Sequence, residues 1–124
     1  MRLLLDTQAY LWWRIDPDKL ASHTRQSIET AGDVAVSAVS GLEIAIKQSV
    51  GKLADEPALL DDPAEHDLGS VPVTWAHAQE LRLLPLLHRD PFDRLLVAQA
   101  RVEGRTIVTS DAELRAYDVA SMPA

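Results

Sequence analysis

Four acidic side chains stand where a strand gives way to a helix, or about one turn beyond: Asp6 after "RLLL", Glu43 in the helical stretch after "DVAVS", Asp93 in "HRDPFDRLLVAQA", and Asp111 after "TIVTS". Like charges gathered at one rim cost stability and raise each other's pKa unless a cation neutralises them. A ligand set made only of carboxylate oxygens suits Mg2+ or Mn2+, ions that retain water and use substrate phosphate to complete their coordination. The reaction that needs such a centre is phosphodiester hydrolysis, in which the ion lowers the pKa of water and stabilises charge on the phosphoryl oxygens. No covalent protein nucleophile is required, and the absence of cysteine excludes thiolate sites and cysteine nucleophiles.

Each carboxylate also has a purely structural explanation. Asp6 and Asp90 are good N-caps, Asp90-Pro91 is a fitting cap and N1 pair, and a first-turn carboxylate gains ~0.3 to 1 kcal/mol from the helix dipole. Ser110 with Glu113 matches the S-x-x-E capping box, which puts Asp111 at N1. Glu43 and Lys47 form an i,i+4 pair in the favourable order, worth ~0.2 to 0.5 kcal/mol on an exposed helix. What distinguishes the set is that four distant segments bring carboxylates to the same kind of place.

The elements that must position them read as strands alternating with helices. "RLLL", "DVAVS", "SVPV" and "TIVT" are strand-like, and "DVASM" is a possible last edge strand. Helices are expected after Asp6, over "DPDKLASHTRQSIETAG" from Pro17 to Gly32, over "SGLEIAIKQSVGK", from Thr74 as N-cap, from Pro91 to Gly104, and briefly over "DAELRAY". In the third of these, Val39, Leu42, Ile46 and Val50 recur at helical spacing and mark an apolar stripe. The acidic stretch 53–70, broken by prolines, is expected to hold one short helix between loops. Such alternation predicts an α/β fold, a three-layer α/β/α sandwich with a mostly parallel central sheet, whose sites form at the carboxyl ends of the strands.

A chain of 124 residues is expected to form one domain over 1–124, and its 47% hydrophobic content is that of a folding sequence. No stretch is apolar enough to span a bilayer, and Asp6 interrupts "MRLLLD" too soon for a signal peptide, so a cytoplasmic protein with no membrane association is expected. The net charge of −7 argues against holding nucleic acid by bulk electrostatics and requires any such activity to be local.

Four blocks, "LLLDT" at 3–7, "VSAVSGLEIAIK" at 36–47, "HRDPFDRLLVAQA" at 88–100 and "IVTSD" at 107–111, resemble in order those of the PIN-domain ribonucleases, specifically the VapC-type toxins of bacterial toxin–antitoxin pairs. The resemblance covers almost the whole chain. It implies the PIN-like sandwich, an Mg2+- or Mn2+-dependent endoribonuclease acting as a toxin, and Asp6, Glu43, Asp93 and Asp111 as the catalytic, metal-binding quartet. Thr7 and Ser110 match hydroxyl positions that help shape the family's site, and Asp90 matches a common position outside the quartet. A cognate antitoxin and a toxin homodimer are implied as partners. Gln8 and Leu42 stand where close relatives often carry His and Trp, and neither change removes a ligand position.

Beside the quartet, Lys47 and Arg94 are candidates for substrate contact or for restraining a carboxylate. The four histidines show no zinc-binding spacing and are expected on the surface or in the core; His88 and Arg89, just before the acidic turn, could touch RNA phosphate, but a solvated loop is the stronger expectation. Tyr10, Trp12 and Trp13 are too closely spaced for one helix face to bury all three in one core, so either at least one faces a partner or they pack under the long acidic loop. Two rival classes remain. A receiver-like signalling domain would need a phosphoacceptor aspartate after a central strand and a late lysine, yet "DVAVS" and "SVPV" supply no such aspartate and no lysine follows Lys52. A PIN-like binding module without catalysis is opposed by the intact quartet.

Overall fold

The computed structural model describes all 124 residues, Met1–Ala124. Strands β1 (Arg2–Leu5), β2 (Asp33–Ser37), β3 (Gly69–Val71), β4 (Thr106–Thr109) and β5 (Ser121–Pro123) form one sheet in the order β3-β2-β1-β4-β5. Every pairing is parallel, with Leu4 facing Ala35 on one side and Ile107 on the other. Helices α1 (Thr7–Ile15), α2 (Ser22–Thr30), α3 (Ala38–Ser49), α4 (Trp75–Leu83), α5 (Pro91–Glu103) and α6 (Ala112–Arg115) make the connections.

Successive side chains of a strand point to opposite faces, so a strand covered on both sides must be apolar at every position. Leu3, Leu5, Val34, Val36 and Val108 accordingly pack with Ala9, Tyr10, Ile28 and Ile44 in one core. Leu4, Ala35 and Ile107 pack with Leu96, Val97, Ala100 and Leu114 in the other. The result is the expected α/β/α sandwich. The chain runs from β1 outward to β3, then crosses to β4 on the far side of β1, so β1 and β4 flank the switch point where such sheets open a crevice. This order also differs from the 2-1-3-4-5 of receiver domains.

Several local expectations change. The helix expected from Pro17 divides into a 3-10 turn, Pro17–Lys19, and α2, because Leu20 turns extended to bury itself in the core. The stretch 53–70 holds two 3-10 turns, Pro57–Leu60 and Pro63–His66, in place of one helix. β3 stops at Val71, since Pro72 has no N–H to continue a ladder. At α6 the cap is Asp111 itself, which accepts from the Glu113 amide at 2.8 Å, and not Ser110.

The largest change is on α3. Of the stripe read from spacing, only Val39 is buried; Leu42, Ile46 and Val50 are 57%, 44% and 61% exposed. The helix instead turns Val39, Ser40, Glu43 and Ile44 inward. Ser40 and Glu43 are hydrogen-bonded to Thr7 of α1, so a polar contact chooses the face that apolar spacing had assigned otherwise.

Candidate active site

At the carboxyl edge of the sheet, Asp6, Thr7, Glu43, Lys47, Asp90, Asp93, Ser110 and Asp111 line one cleft of about 290 Å³ together with Gln8 and Leu11. The quartet from four segments is thus brought together, with both hydroxyl residues and Lys47. Asp6 caps α1 by accepting from the Ala9 amide at 2.8 Å, and Asp90 caps α5 by accepting from the Phe92 and Asp93 amides. Capping is therefore how these carboxylates are aimed, and it does not compete with a site role. Asp90 directs its oxygen to the helix, while Asp93 is left to the cleft.

Glu43 is buried and held from two sides. Thr7 Oγ1 lies 2.8 Å from Oε1, and Lys47 Nζ lies 2.9 Å from Oε2. The Thr7 hydroxyl has one hydrogen, which it donates to the carboxylate while accepting from Ser40 at 2.9 Å. The hydrogen bond from Lys47 to Glu43 outweighs burial and, with the charges of Asp90 and Asp93, raises the lysine pKa and keeps the ammonium charged.

Elsewhere in the cleft the charges are not matched. Asp93 is pushed up to about 7, first by burial and then by the charges of Asp90 and Glu43, with His88 opposing. Burial also pushes Asp6 up, against hydrogen bonds from Thr109 and Ala9, and Asp111 and Glu43 add to the rise. Asp111 is different: burial would raise it, but the Glu113 amide and His88 outweigh that and lower it.

Two residues of this neighbourhood escaped the sequence reading. Thr109, fully buried at the end of β4, stands beside Asp6 and accepts from the Asp111 amide at 3.0 Å. His88 is not in a solvated loop. Its Nε2 is 3.0 Å from Asp111 and 3.4 Å from Asp93. Burial would lower its pKa, but the hydrogen bond to Asp111 and the charges of Asp93, Asp111 and Glu113 raise it on balance. The only sequence signal was its position just before the Asp90 cap; the contact with Asp111 spans 23 residues.

Arg94 is a correction. It does not line the cleft, and its Nη2 donates to the Leu84 carbonyl at 3.3 Å, tying α5 to the end of α4. One residue along a helix is about 100° of rotation, so with Asp93 facing the cleft its neighbour is carried away from it. Of the aromatic trio, Tyr10 is buried under the acidic loop, its hydroxyl donating to the Leu59 carbonyl at 3.3 Å, and Trp12 and Trp13 are half-buried against the same core. The larger depression, about 570 Å³, lies at the opposite edge of the sheet, where Arg101 is engaged by Glu80 and Asp118, and Arg105 by Asp33.

An all-parallel sheet with a carboxylate cleft at its switch point has clear relatives. The PIN domain family matches residues 3–120. Ribonuclease VapC22 of Mycobacterium tuberculosis is 37% identical over 120 residues, covering 93% of this chain and 91% of that one. Among solved structures, VapBC2 from Rickettsia felis bound to a promoter DNA fragment superposes with a TM-score of 0.75 at 15% identity, covering 100% of this chain and 99% of that one. DNA-bound VapBC from Salmonella typhimurium gives 0.71 at 14% identity, covering 99% and 98%. The chain belongs to the PIN-domain family. No helix is long and apolar enough to cross a membrane.

Proposed function

We propose that this chain is an Mg2+- or Mn2+-dependent endoribonuclease of the VapC type, the toxin of a toxin–antitoxin pair, acting in the cytoplasm as one PIN-like unit over residues 1–124. The observation that carries the proposal is geometric: Asp6, Glu43, Asp93 and Asp111, from four separate segments, line one cleft at the carboxyl edge of the sheet, where burial and neighbouring carboxylates push Asp6 and Asp93 up. A divalent cation fits this site because the donors are hard carboxylate oxygens and because added positive charge relieves the repulsion between them.

Asp6, Glu43, Asp93 and Asp111 are the residues that would hold the ion. When bound, it supplies an acidified water and charge stabilisation at the scissile phosphate. Thr7 fixes the rotamer of Glu43, and Lys47, held against Glu43 yet 47% exposed, presents a permanent positive charge to an incoming phosphate. Ser110 offers an exposed hydroxyl at the rim, and Asp90 keeps α5 in register. RNA as substrate is supported by the name of the 37% identical relative.

An antitoxin partner and a homodimer are supported by kinship to VapC and VapBC proteins and by the outward stripe of Leu42, Ile46 and Val50, an apolar surface of the kind protein partners cover. Purified chain freed of any partner is expected to cleave RNA with Mg2+ or Mn2+ and to stop in excess chelator. Cleavage that continues in chelator overturns the metal reading. Co-purification with the product of a neighbouring reading frame is the expected sign of the antitoxin.

A further inference from the structure

We propose that His88 is a positioning residue of the cleft, a fixed N–H donor that orients Asp111 and draws in Asp93, and that its ring is not itself a metal ligand. The proposal rests on the divalent-cation reading above.

The ring is fixed at both nitrogens. Nδ1 accepts the Asp90 backbone N–H at 3.0 Å, and Nε2 lies 3.0 Å from Asp111 Oδ2, 3.4 Å from Asp93 Oδ2 and 3.7 Å from Glu113 Oε2. A nitrogen that accepts an N–H carries no hydrogen, so the neutral ring has its hydrogen on Nε2, aimed at the carboxylates. To ligate a cation through Nε2, the ring would have to move that hydrogen to Nδ1, where it would confront the Asp90 amide and break the bond that orients the imidazole. The local backbone thus selects donor over ligand.

The loop carrying His88 is tied down in turn. The Leu87 and His88 amides both donate to the Tyr117 hydroxyl, at 3.1 and 3.0 Å, and Tyr117 is buried just beyond α6. Asp111 consequently has one partner on each oxygen: the Glu113 amide on Oδ1 and His88 on Oδ2. Each carboxylate oxygen retains a further lone pair, so the carboxylate is oriented without being used up. Hydrogen-bonded groups behind a ligand commonly fix it in this way, and their loss typically costs ~10- to 100-fold in metal affinity.

Mn2+ binding to the purified chain, followed by calorimetry and by electron spin-echo modulation, tests the proposal with no need for catalysis. His88→Ala is expected to weaken Mn2+ binding by ~10-fold or more. His88→Gln, which keeps an amide N–H on a side chain long enough to reach Asp111, is expected to restore most of it. Wild-type protein should show no nitrogen coupling from an imidazole bound directly to manganese. Such a coupling, lost in His88→Ala, would make His88 a ligand and overturn the proposal; so would wild-type affinity in the alanine variant, or a glutamine variant as weak as alanine. Should His88→Ala fail to fold, the wild-type spectrum and the glutamine variant still decide. Failure of the wild-type chain to bind Mn2+ at all would sink the cation site itself, and this inference with it.

Discussion

The two edges of the sheet treat the same residue types in opposite ways. At the amino edge, Asp33 sits between Arg2 and Arg105, at 3.2 and 2.7 Å, and hydrogen bonding from Arg105 and then Arg2 lowers its pKa despite some burial. At the carboxyl edge, Asp6 and Asp93 are raised, and the nearby basic groups are Lys47, spent on Glu43, and the His88 imidazole. An acid that serves the fold is given its counter-charge by the chain. Asp6 has no basic side chain beside it, and Asp93 has only a nitrogen of His88 that lies closer to Asp111, which implies a further counter-charge from outside.

The largest expected effect separates activity from stability at the carboxyl edge. Asp93→Asn should reduce RNA cleavage by more than the ~100-fold typical of a residue behind the ligands. The same variant should melt higher than wild type at pH 8 without divalent ions, because it deletes a repelled charge. Cleavage near wild-type level, or a lower metal-free melting temperature, would break the contrast between the edges.

The pH dependence follows with a definite sign. A carboxyl with its folded pKa near 7 binds protons more readily folded than unfolded, so metal-free stability should rise as pH falls through 7 toward the ordinary carboxylate range. A pKa near 7 in place of 3.8 corresponds to at most on the order of 4 kcal/mol, reduced by the water that reaches a side chain 23% exposed. His88, also raised, acts in the same direction, its contribution present at low pH and lost as pH rises through its folded value. Chemical denaturation between pH 5.5 and 8 checks this, and saturating Mn2+ should flatten the slope.

Helix α3 offers a second comparison, between its own two faces. Ile44→Ala should cost ~2 to 5 kcal/mol, as for a fully buried isoleucine, whereas Ile46→Ser should stay within about 0.5 kcal/mol and weaken antitoxin or dimer association instead. Urea titration paired with a binding assay separates the two. At the amino edge Asp33→Asn should cost about 0.2 to 1 kcal/mol at neutral pH and leave both cleavage and association untouched. Because the folded pKa of Asp33 is lowered, that cost should shrink as pH falls through it.

Local signals made much of this legible in the sequence. Asp6, Thr74 and Asp90 cap the helices they were expected to cap, and Gly104 ends α5 in the left-handed conformation at φ 65°, which glycine adopts without strain. Because a cap sits where a strand or loop enters a helix, cap recognition also located the carboxyl edge. What stayed hidden depends on contacts between distant segments. The inward face of α3 is chosen by Thr7, more than thirty residues away, against the apolar spacing of Leu42, Ile46 and Val50. His88 acquires its role from Asp111 and Tyr117, and Arg94 loses its expected role to the helical rotation that turns Asp93 inward.

Asp6 and Asp93 at the carboxyl edge are left short of positive charge for a divalent cation, and thermal unfolding of wild type and Asp93→Asn at pH 8, with and without Mn2+, tests this most directly. A ligand bound only by the folded state stabilises it by about 2.7 kcal/mol at a hundredfold excess over Kd. Mn2+ should raise the melting temperature of wild type clearly and that of Asp93→Asn little, reversing their metal-free order. An equal rise in both, or none in wild type, would contradict the account.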